Sequence, residues 1–297
     1  MAKQATSNKA DKASRRFGIA ALQLDLDNGD NLARIAAEVS AIGKRLPWVR
    51  MVVLGELAVF GASPARAQTM PGPAEHRFCE IARKNKLWLI PGSMYERRKN
   101  RIFNTVPVID PDGTVVARYR KQFPYFPYEK GIEPGRESVV FDVPGVGRFG
   151  LLICYDMWFP ETTRSLSSMG AEMILHPTMT YTIDRDVELS ISRASAAINQ
   201  CYFVDINVAG QLGLGRSIIC GPGGEVIHQA GSGREIITFE IDLAYLRSVR
   251  ERGWNCVAQP LKSFRDSKIV FPAYGTGVAP SDFLSSLGRL AVPDGEE

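Results

Sequence analysis

Short, mainly apolar runs separated by amphipathic helical stripes place the tightest limit on how this chain can fold. "FGIAALQL", "VRMVVLGE", "LWLIPGS", "FGLLIC", "AEMILHP" and "CYFVDINVA" each have the length of a strand rather than of a helix. Strands apolar at successive positions bury both faces and need cover on each side. Part of that cover lies between them. Asp30 to Leu46 carries Leu32, Ile35, Val39, Ile42 and Leu46 at steps of three and four, the stripe of a helix lying on a sheet. Further helices are predicted over Ala74–Lys86, over Glu161–Met169 with Gly170 as the stop, and over about Asp184–Asn199. "IFNTVPVID" and "TVVARYRKQ" flank the turn "DPDG" and form a hairpin. "RSIICGP", "EVIHQAG" and "EIITFEID" close the second half ahead of a helix in "LAYLRSVRERG". Each half reads β-α-β-α-β followed by a meander, so the fold class is α/β, two stacked sheets with helices outside.

No break interrupts this pattern between Phe17 and Gly253, which predicts one domain over residues 16–253. The first residues, "MAKQATSNKADKASRR", hold much of the net charge of +4 and lack the apolar stretch of a secretory signal. Residues 1–15 are therefore read as a flexible tail of a cytoplasmic protein. From Trp254 the pattern dissolves into Pro, Gly and Ser, and residues 254–297 are read as an extension packed on a neighbouring subunit of a homodimer or larger homo-oligomer. No apolar run approaches the ~20 residues of a membrane span, and no other basic stretch interleaves aromatics, so neither a membrane nor a nucleic-acid partner is expected. Five cysteines (Cys79, Cys154, Cys201, Cys220, Cys256) without CxxC spacing argue against disulfides and structural zinc and for a reducing compartment. Three unpaired histidines suggest no metal site, and no cofactor is implied.

Three side chains sit oddly in this pattern. Cys154 ends "FGLLIC", and the chain turns at once through "YDMWFPE". Free cysteine is commonly a small core residue, but ligands in layered α/β folds gather at the carboxyl ends of strands. Pro160 opens a helix just beyond, and the backbone N–H groups of the turn, that of Tyr155 among them, are placed to receive an oxyanion. Glu56 ends "MVVLGE", where a buried carboxylate needs a proton or a cation. On "TVVARYRKQF" strict alternation puts Lys121 on the apolar face with Val115, Ala117, Tyr119 and Phe123, while Arg118 and Arg120 face the other way. The alternative is a lysine in solvent past the strand end. A thiol is only a few per cent thiolate at pH 7. Glu56 can take the thiol proton, and Lys121 can hold both the carboxylate and a substrate oxygen. His176, closing "AEMILH", offers a competing Cys–His pairing that leaves Glu56 and Lys121 unexplained. Asp156 and Glu161 read as turn-fixing and helix-capping residues.

In this order, and in the contexts "VVLGELAVFG", "ARYRKQFPY" and "LLICYDMWFPE", Glu56, Lys121 and Cys154 resemble the carbon–nitrogen hydrolases of the nitrilase superfamily, over roughly Phe17 to Gly253. The resemblance implies a four-layer α-β-β-α sandwich that dimerises, with Cys154 as nucleophile, Glu56 as general base and Lys121 at the oxyanion. In the amidase branch a second glutamate follows the lysine, and "KQFPYFPYEKG" places Glu129 there, where it implies substrate positioning. "AAINQCYFVDIN" and "GRSIICGPGGEV" resemble the usual helix-to-strand segment and hairpin. Two departures stand out: Gly55 replaces a usual proline, and "RDVELSIS" lacks an aromatic often found before "RASAAINQ". The expected activity is hydrolysis of a small linear amide to acid and ammonia through a cysteine thioester. An N-carbamoyl amine hydrolase, to which "CYDMWFPE" is closer, or a nitrilase is the alternative among enzymes, and an inactive scaffold the alternative outside them. Phe60, Tyr125, Tyr128, Tyr155, Trp158 and Tyr181 are candidates to line the substrate pocket, with ordinary loop packing as the competing role.

Overall fold

Alternation along the strands sets the layering in the computed structural model, which describes residues 16–126, 128–271, 282–287 and 290. The first half runs β1 (Arg16–Gln23), β2 (Asp25–Leu26), α1 (Leu32–Arg45), β3 (Val49–Leu54), α2 (Pro73–Asn85), β4 (Trp88–Ile90), β5 (Met94–Arg98), β6 (Arg101–Ile109) and β7 (Val115–Arg120). The second runs β8 (Val140–Val143), β9 (Gly147–Leu151), α3 (Pro160–Ser168), β10 (Met173–Thr178), α4 (Arg185–Asn199), β11 (Tyr202–Asn207), β12 (Ala209–Gly210), β13 (Ile218–Cys220), β14 (Val226–Gln229), β15 (Glu235–Asp242) and α5 (Leu243–Arg252).

In β1 the odd positions Phe17, Ile19 and Ala21 enter one apolar cluster, and Ala20 and Leu22 enter another. The first cluster also takes Met51 and Val53 of β3, Leu175 of β10 and Val204 of β11, so it fills the space between two sheets. The second takes Val52 and Leu54 together with Ile35, Val39 and Ile42 of α1 and Phe78 of α2. A third joins Ile174 and Phe203 to Leu166 of α3 and Ala196 of α4. The result is the four-layer α-β-β-α sandwich. The first sheet is ordered β15-β1-β3-β4-β6-β5 with β7 on β6, and the second β14-β13-β11-β10-β9-β8. Strands β1, β3 and β4 run parallel, as do β9, β10 and β11, and the helices between them cover the outer faces. β15 returns from the second half to pair antiparallel with β1, Phe17 opposite Ile241.

Four elements differ from the sequence reading. β9 ends at Leu151, and Cys154 opens a 3-10 turn over Cys154–Trp158 instead of finishing the strand. β5 was hidden by its charged residues; its Glu96 is buried, bonded to Arg120 and Thr105. β8 is a four-residue edge strand in a stretch to which the sequence reading gave no element. Within the extension after Trp254 the chain forms α6 (Pro260–Asp266), started by Pro260, whose Phe264 ring lies under the Arg164 guanidinium of α3. The tail assigned to residues 1–15 lies outside the described residues.

Candidate active site

The site forms where the ends of β3 and β10 approach across the two sheets. At Gly55 a Cβ would stand 2.8 Å from Val208 and 3.0 Å from the Thr178 carbonyl, so a residue without a side chain is what lets the strands close up. This is a packing reason for glycine at position 55. The next N–H, that of Glu56, donates to the Thr178 carbonyl at 3.1 Å, and Leu57 then takes a left-handed φ of +48°. Glu56 is thereby fixed at the sheet–sheet junction, 2% exposed.

Lys121 follows β7 by one residue, as the solvent alternative required, yet it is buried. Its N–H donates to the Asn104 carbonyl of β6 at 2.9 Å, which carries the hairpin register one residue past the strand. The ammonium Nζ donates to Glu56 Oε1 at 2.9 Å and to Glu129 Oε2 at 2.6 Å. Asn104 Nδ2 donates to the same two carboxylates, at 2.7 Å to Glu56 Oε1 and 3.3 Å to Glu129. Glu129 Oε2 also accepts the Tyr125 N–H at 2.6 Å, closing the loop that carries it. Arg118 and Arg120, on the other face of β7, clamp the buried Glu75 and Glu96.

The electrostatics follow from one cation facing two carboxylates in a dry place. Burial pushes Glu56 up, Lys121 opposes this and Glu129 adds to it. Burial works against the ammonium of Lys121, but Glu56, Cys154 and Glu129 outweigh it and hold the lysine well above its usual value, so it stays charged. Burial, then Glu56, raises the Cys154 thiol well above its usual value against the pull of Lys121. The resting thiol is therefore protonated, and to serve as a nucleophile it would need a base. Burial, then Glu129 and Glu56, raises the hydroxyl of Tyr95, which faces the same cluster.

Cys154 holds φ at +47°, a left-handed conformation that costs a non-glycine residue of order 1–3 kcal/mol and persists only where the surroundings over-determine it. Asp156 supplies much of that constraint. Its Oδ2 accepts the Tyr119 hydroxyl at 2.6 Å and the Ile153 N–H at 2.9 Å, and its Oδ1 accepts the Phe123 N–H at 2.8 Å. The Cys154 turn is thus tied to the chain on both sides of Lys121. The thiol meets the side chains of Glu56 and Thr178. His176 does not face the sulfur. It lies on the Ile174 side of β10, and its Nε2 meets the Cys154 carbonyl at 2.9 Å while Nδ1 meets Asp205 at 3.2 Å. A Cys–His base pair is accordingly absent here. Glu161 sits in the first turn of α3.

Of the aromatic candidates, Tyr125, Tyr128, Tyr155 and Trp158 form one chain of rings: Tyr125 lies 5.0 Å from Tyr128 and 4.9 Å from Tyr155, and Tyr155 lies 6.3 Å from Trp158. Tyr181, three residues beyond β10, is exposed, and Phe60 packs against the core beneath α1 and α2. The sequence reading missed Asn104, Tyr95 and Thr178. Asn104 was readable, since it shares its face of β6 with Val106 and Val108, which fill the space between the sheets.

Comparison with known proteins places the chain in a family. The family described as carbon-nitrogen hydrolase matches residues 18–251. Omega-amidase NIT2 of Homo sapiens is 28% identical over 258 residues, covering 80% of this chain and 92% of its own length. Among solved structures, Saccharomyces cerevisiae Nit3, a member of branch 10 of the nitrilase superfamily, gives a TM-score of 0.74 at 28% identity, covering 80% of this chain and 94% of its own. A cysteine-to-alanine mutant of the amidase from Nesterenkonia sp. AN1, in complex with butyramide, gives 0.69 at 25% identity, covering 79% and 94%. The chain belongs to the carbon-nitrogen hydrolase family of the nitrilase superfamily and is a hydrolase of carbon–nitrogen bonds other than peptide bonds.

Proposed function

We propose that this enzyme hydrolyses small linear amides to carboxylic acid and ammonia through a thioester on Cys154, with Glu56, Lys121 and Glu129 as the other catalytic groups. The observation that carries the reading is the Lys121 ammonium, buried beside Cys154 and bridging two carboxylates. An ammonium has three N–H donors, and two are spent on Glu56 and Glu129, so one is left for a substrate oxygen. Lys121 and Asn104 both engage Glu56 Oε1, which leaves Oε2 for the thiol proton.

In the first half-reaction the sulfur attacks the amide carbon as its proton passes to Glu56, and the carbonyl electron pair moves onto oxygen. Lys121 and the Tyr155 N–H hold that oxyanion. Collapse of the tetrahedral adduct breaks the C–N bond, and the Glu56 proton leaves with ammonia. Water, deprotonated by Glu56, then attacks the thioester and releases the acid and the thiol. Glu129 accepts from the amide NH2 while it steadies Lys121. Tyr125, Tyr128, Trp158 and Tyr181 line the acyl side, in keeping with the butyramide bound by the Nesterenkonia amidase. Phe60 is left to the core.

Residues 16–253 form the catalytic domain in this reading. The extension packs on a second copy of the chain, and the exposed Val257, Ile269 and Val270 supply its apolar contact in a homodimer or larger assembly. Five free cysteines suit the cytoplasm; no described helix is long and apolar enough to cross a membrane.

The test is ammonia release from matched short amides, nitriles and N-carbamoyl amines. Amides should react well ahead of the others, and Glu129→Gln should keep the fold and sharply lower the amide rate. Faster turnover of nitriles, or reaction with N-carbamoyl amines alone, overturns the substrate class; no turnover of any of them favours a scaffold.

A further inference from the structure

We propose that His176 governs the oxyanion site through the Cys154–Tyr155 peptide, as a doubly donating imidazolium that grips the Cys154 carbonyl and so aims and polarises the Tyr155 N–H. Both partners of the ring, the Cys154 carbonyl at 2.9 Å and Asp205 Oδ1 at 3.2 Å, are acceptors with no hydrogen to give. Each ring nitrogen must therefore carry a proton. In agreement, although burial alone pulls the imidazole down, Asp205 reverses this and leaves it raised.

The charge is balanced by a buried network that meets the Cys154 turn at that carbonyl and, through Thr180, lies 3.4 Å from the Thr178 hydroxyl. Asp205 Oδ2 accepts from Arg185 at 2.9 Å and from Ser192 at 3.0 Å. Arg185 also donates to Glu188 at 3.0 Å and to the Arg216 carbonyl at 2.8 Å, and Glu188 accepts the Thr180 hydroxyl at 3.0 Å. His176, Asp205, Arg185, Ser192 and Glu188 are all at most 3% exposed. Ionic groups buried this deeply add little net stability over an apolar core of the same volume; what they add here is orientation.

The peptide makes that orientation matter. Its six atoms are coplanar and trans, so fixing the Cys154 C=O fixes the opposed direction of the Tyr155 N–H. A charged donor on the carbonyl also strengthens the N–H at the other end of the same amide. His176 is a positioning residue, and it acts on the step in which negative charge reaches the substrate oxygen. This rests on the amide reading with the Tyr155 N–H as a donor to that oxygen.

The experiment compares wild type, His176→Leu and His176→Gln, all with Cys256→Ala, because the exposed Cys256 thiol would otherwise compete for the reagent. Three quantities are measured: kcat and KM on a short amide, the affinity for the matching aldehyde, and the rate at which methyl methanethiosulfonate blocks Cys154. The aldehyde adds the Cys154 sulfur and places charge on its oxygen, whereas the thiosulfonate exchanges at sulfur and makes no oxyanion. For His176→Leu, kcat should fall about 10- to 100-fold, less than or comparable to the loss of a whole oxyanion donor. KM should hold within about twofold, aldehyde affinity should fall in step with kcat, and thiosulfonate blocking should be unchanged within about twofold. His176→Gln keeps an N–H that can reach the carbonyl and should lie between. If His176→Leu does not fold, His176→Phe, which keeps ring volume against Phe203, carries the same expectations. The proposal is overturned if kcat stays within twofold of wild type, if kcat falls while aldehyde affinity holds, or if kcat and thiosulfonate blocking fall together with glutamine no better than leucine. A wild type that binds the aldehyde but releases no ammonia sinks the amide reading instead and leaves this one to be judged on the aldehyde affinities.

Discussion

Replacing Lys121 by methionine removes the one cation between Glu56 and Glu129 while keeping most of the side-chain volume. Glu56 then retains Asn104 at 2.7 Å on Oε1, and Glu129 retains the Tyr125 N–H at 2.6 Å, but neither carboxylate has a countercharge within the cluster. Leaving one member of a buried pair unpartnered costs about 3–5 kcal/mol. Proton uptake by Glu56 limits that cost. Protonating a carboxyl of ordinary value near 4.3 takes about 3.7 kcal/mol at pH 7 and about 1 kcal/mol at pH 5, at 1.36 kcal/mol per unit. Glu56 is already raised by burial in the native protein, and losing Lys121 raises it further. A carboxyl raised on folding stabilises the fold below its unfolded value, and that contribution is lost as pH rises through the folded value. Urea unfolding should therefore show Lys121→Met less stable than wild type by about 4 kcal/mol at pH 7 and by about 1 kcal/mol at pH 5. Lys121→Met with Glu129→Gln should recover part of the deficit at pH 7 without recovering activity, because kcat still lacks an oxyanion donor worth about 100- to 1,000-fold. A deficit below about 1 kcal/mol at pH 7, or one equal at both pH values, would refute the buried-bridge reasoning.

Cys154→Ala should abolish ammonia release and leave stability within about 1 kcal/mol, since little volume is lost at an 8% exposed position; retained turnover would remove the thioester from the mechanism. With its thiol raised by burial, Cys154 should be alkylated by iodoacetamide after the exposed Cys256, an order that peptide mass spectrometry reads directly. Asn104→Leu should lower kcat about tenfold and change stability by less than about 1 kcal/mol. It loses a hydrogen bond to a charged group but also removes Oδ1, which is buried without a partner among the described residues. His176 is raised on folding, so its contribution to stability is complete below its unfolded value near 6.5 and is lost as pH rises through the folded value. Melting temperatures of wild type should fall as pH rises from the unfolded value through the folded one, and those of His176→Gln should not share the fall.

Legibility in the sequence depended on whether a residue violated a local pattern. Ile35, Val39 and Ile42 repeat at helical spacing, and α1 buries those residues. β1, β3, β10 and β11 read as apolar runs because each is covered on both faces, one by the opposing sheet and one by helices. β5 failed to show because Glu96 is satisfied by Arg120 of a strand it does not pair with, a long-range fact that no window of residues contains. Glu56 and Lys121 stood out as charges where the period calls for apolar groups. A buried charge has to be answered by a partner, and the structure has each answer the other.

The same logic explains what was misread. Cys154 looked like a strand terminus because Leu152 and Ile153 continue the apolar run, yet both are buried after the strand has ended. What turns the chain out of this extended run is the left-handed φ of Cys154, and apolar content carries no signal for that. His176 looked like a base because it closes a strand beside a cysteine. The period of two settles its role: Leu175 points between the sheets with Cys154, and His176, one residue on, points to the helix side with Ile174. A side chain on that face cannot reach the sulfur, but it can reach the backbone that carries it. Polar residues on the inter-sheet face, Asn104 among them, were therefore candidates for chemistry, and polar residues on the helix side were candidates for holding the turn in place. In the mechanism proposed above, that distinction makes His176 a positioning residue and Glu56 the base.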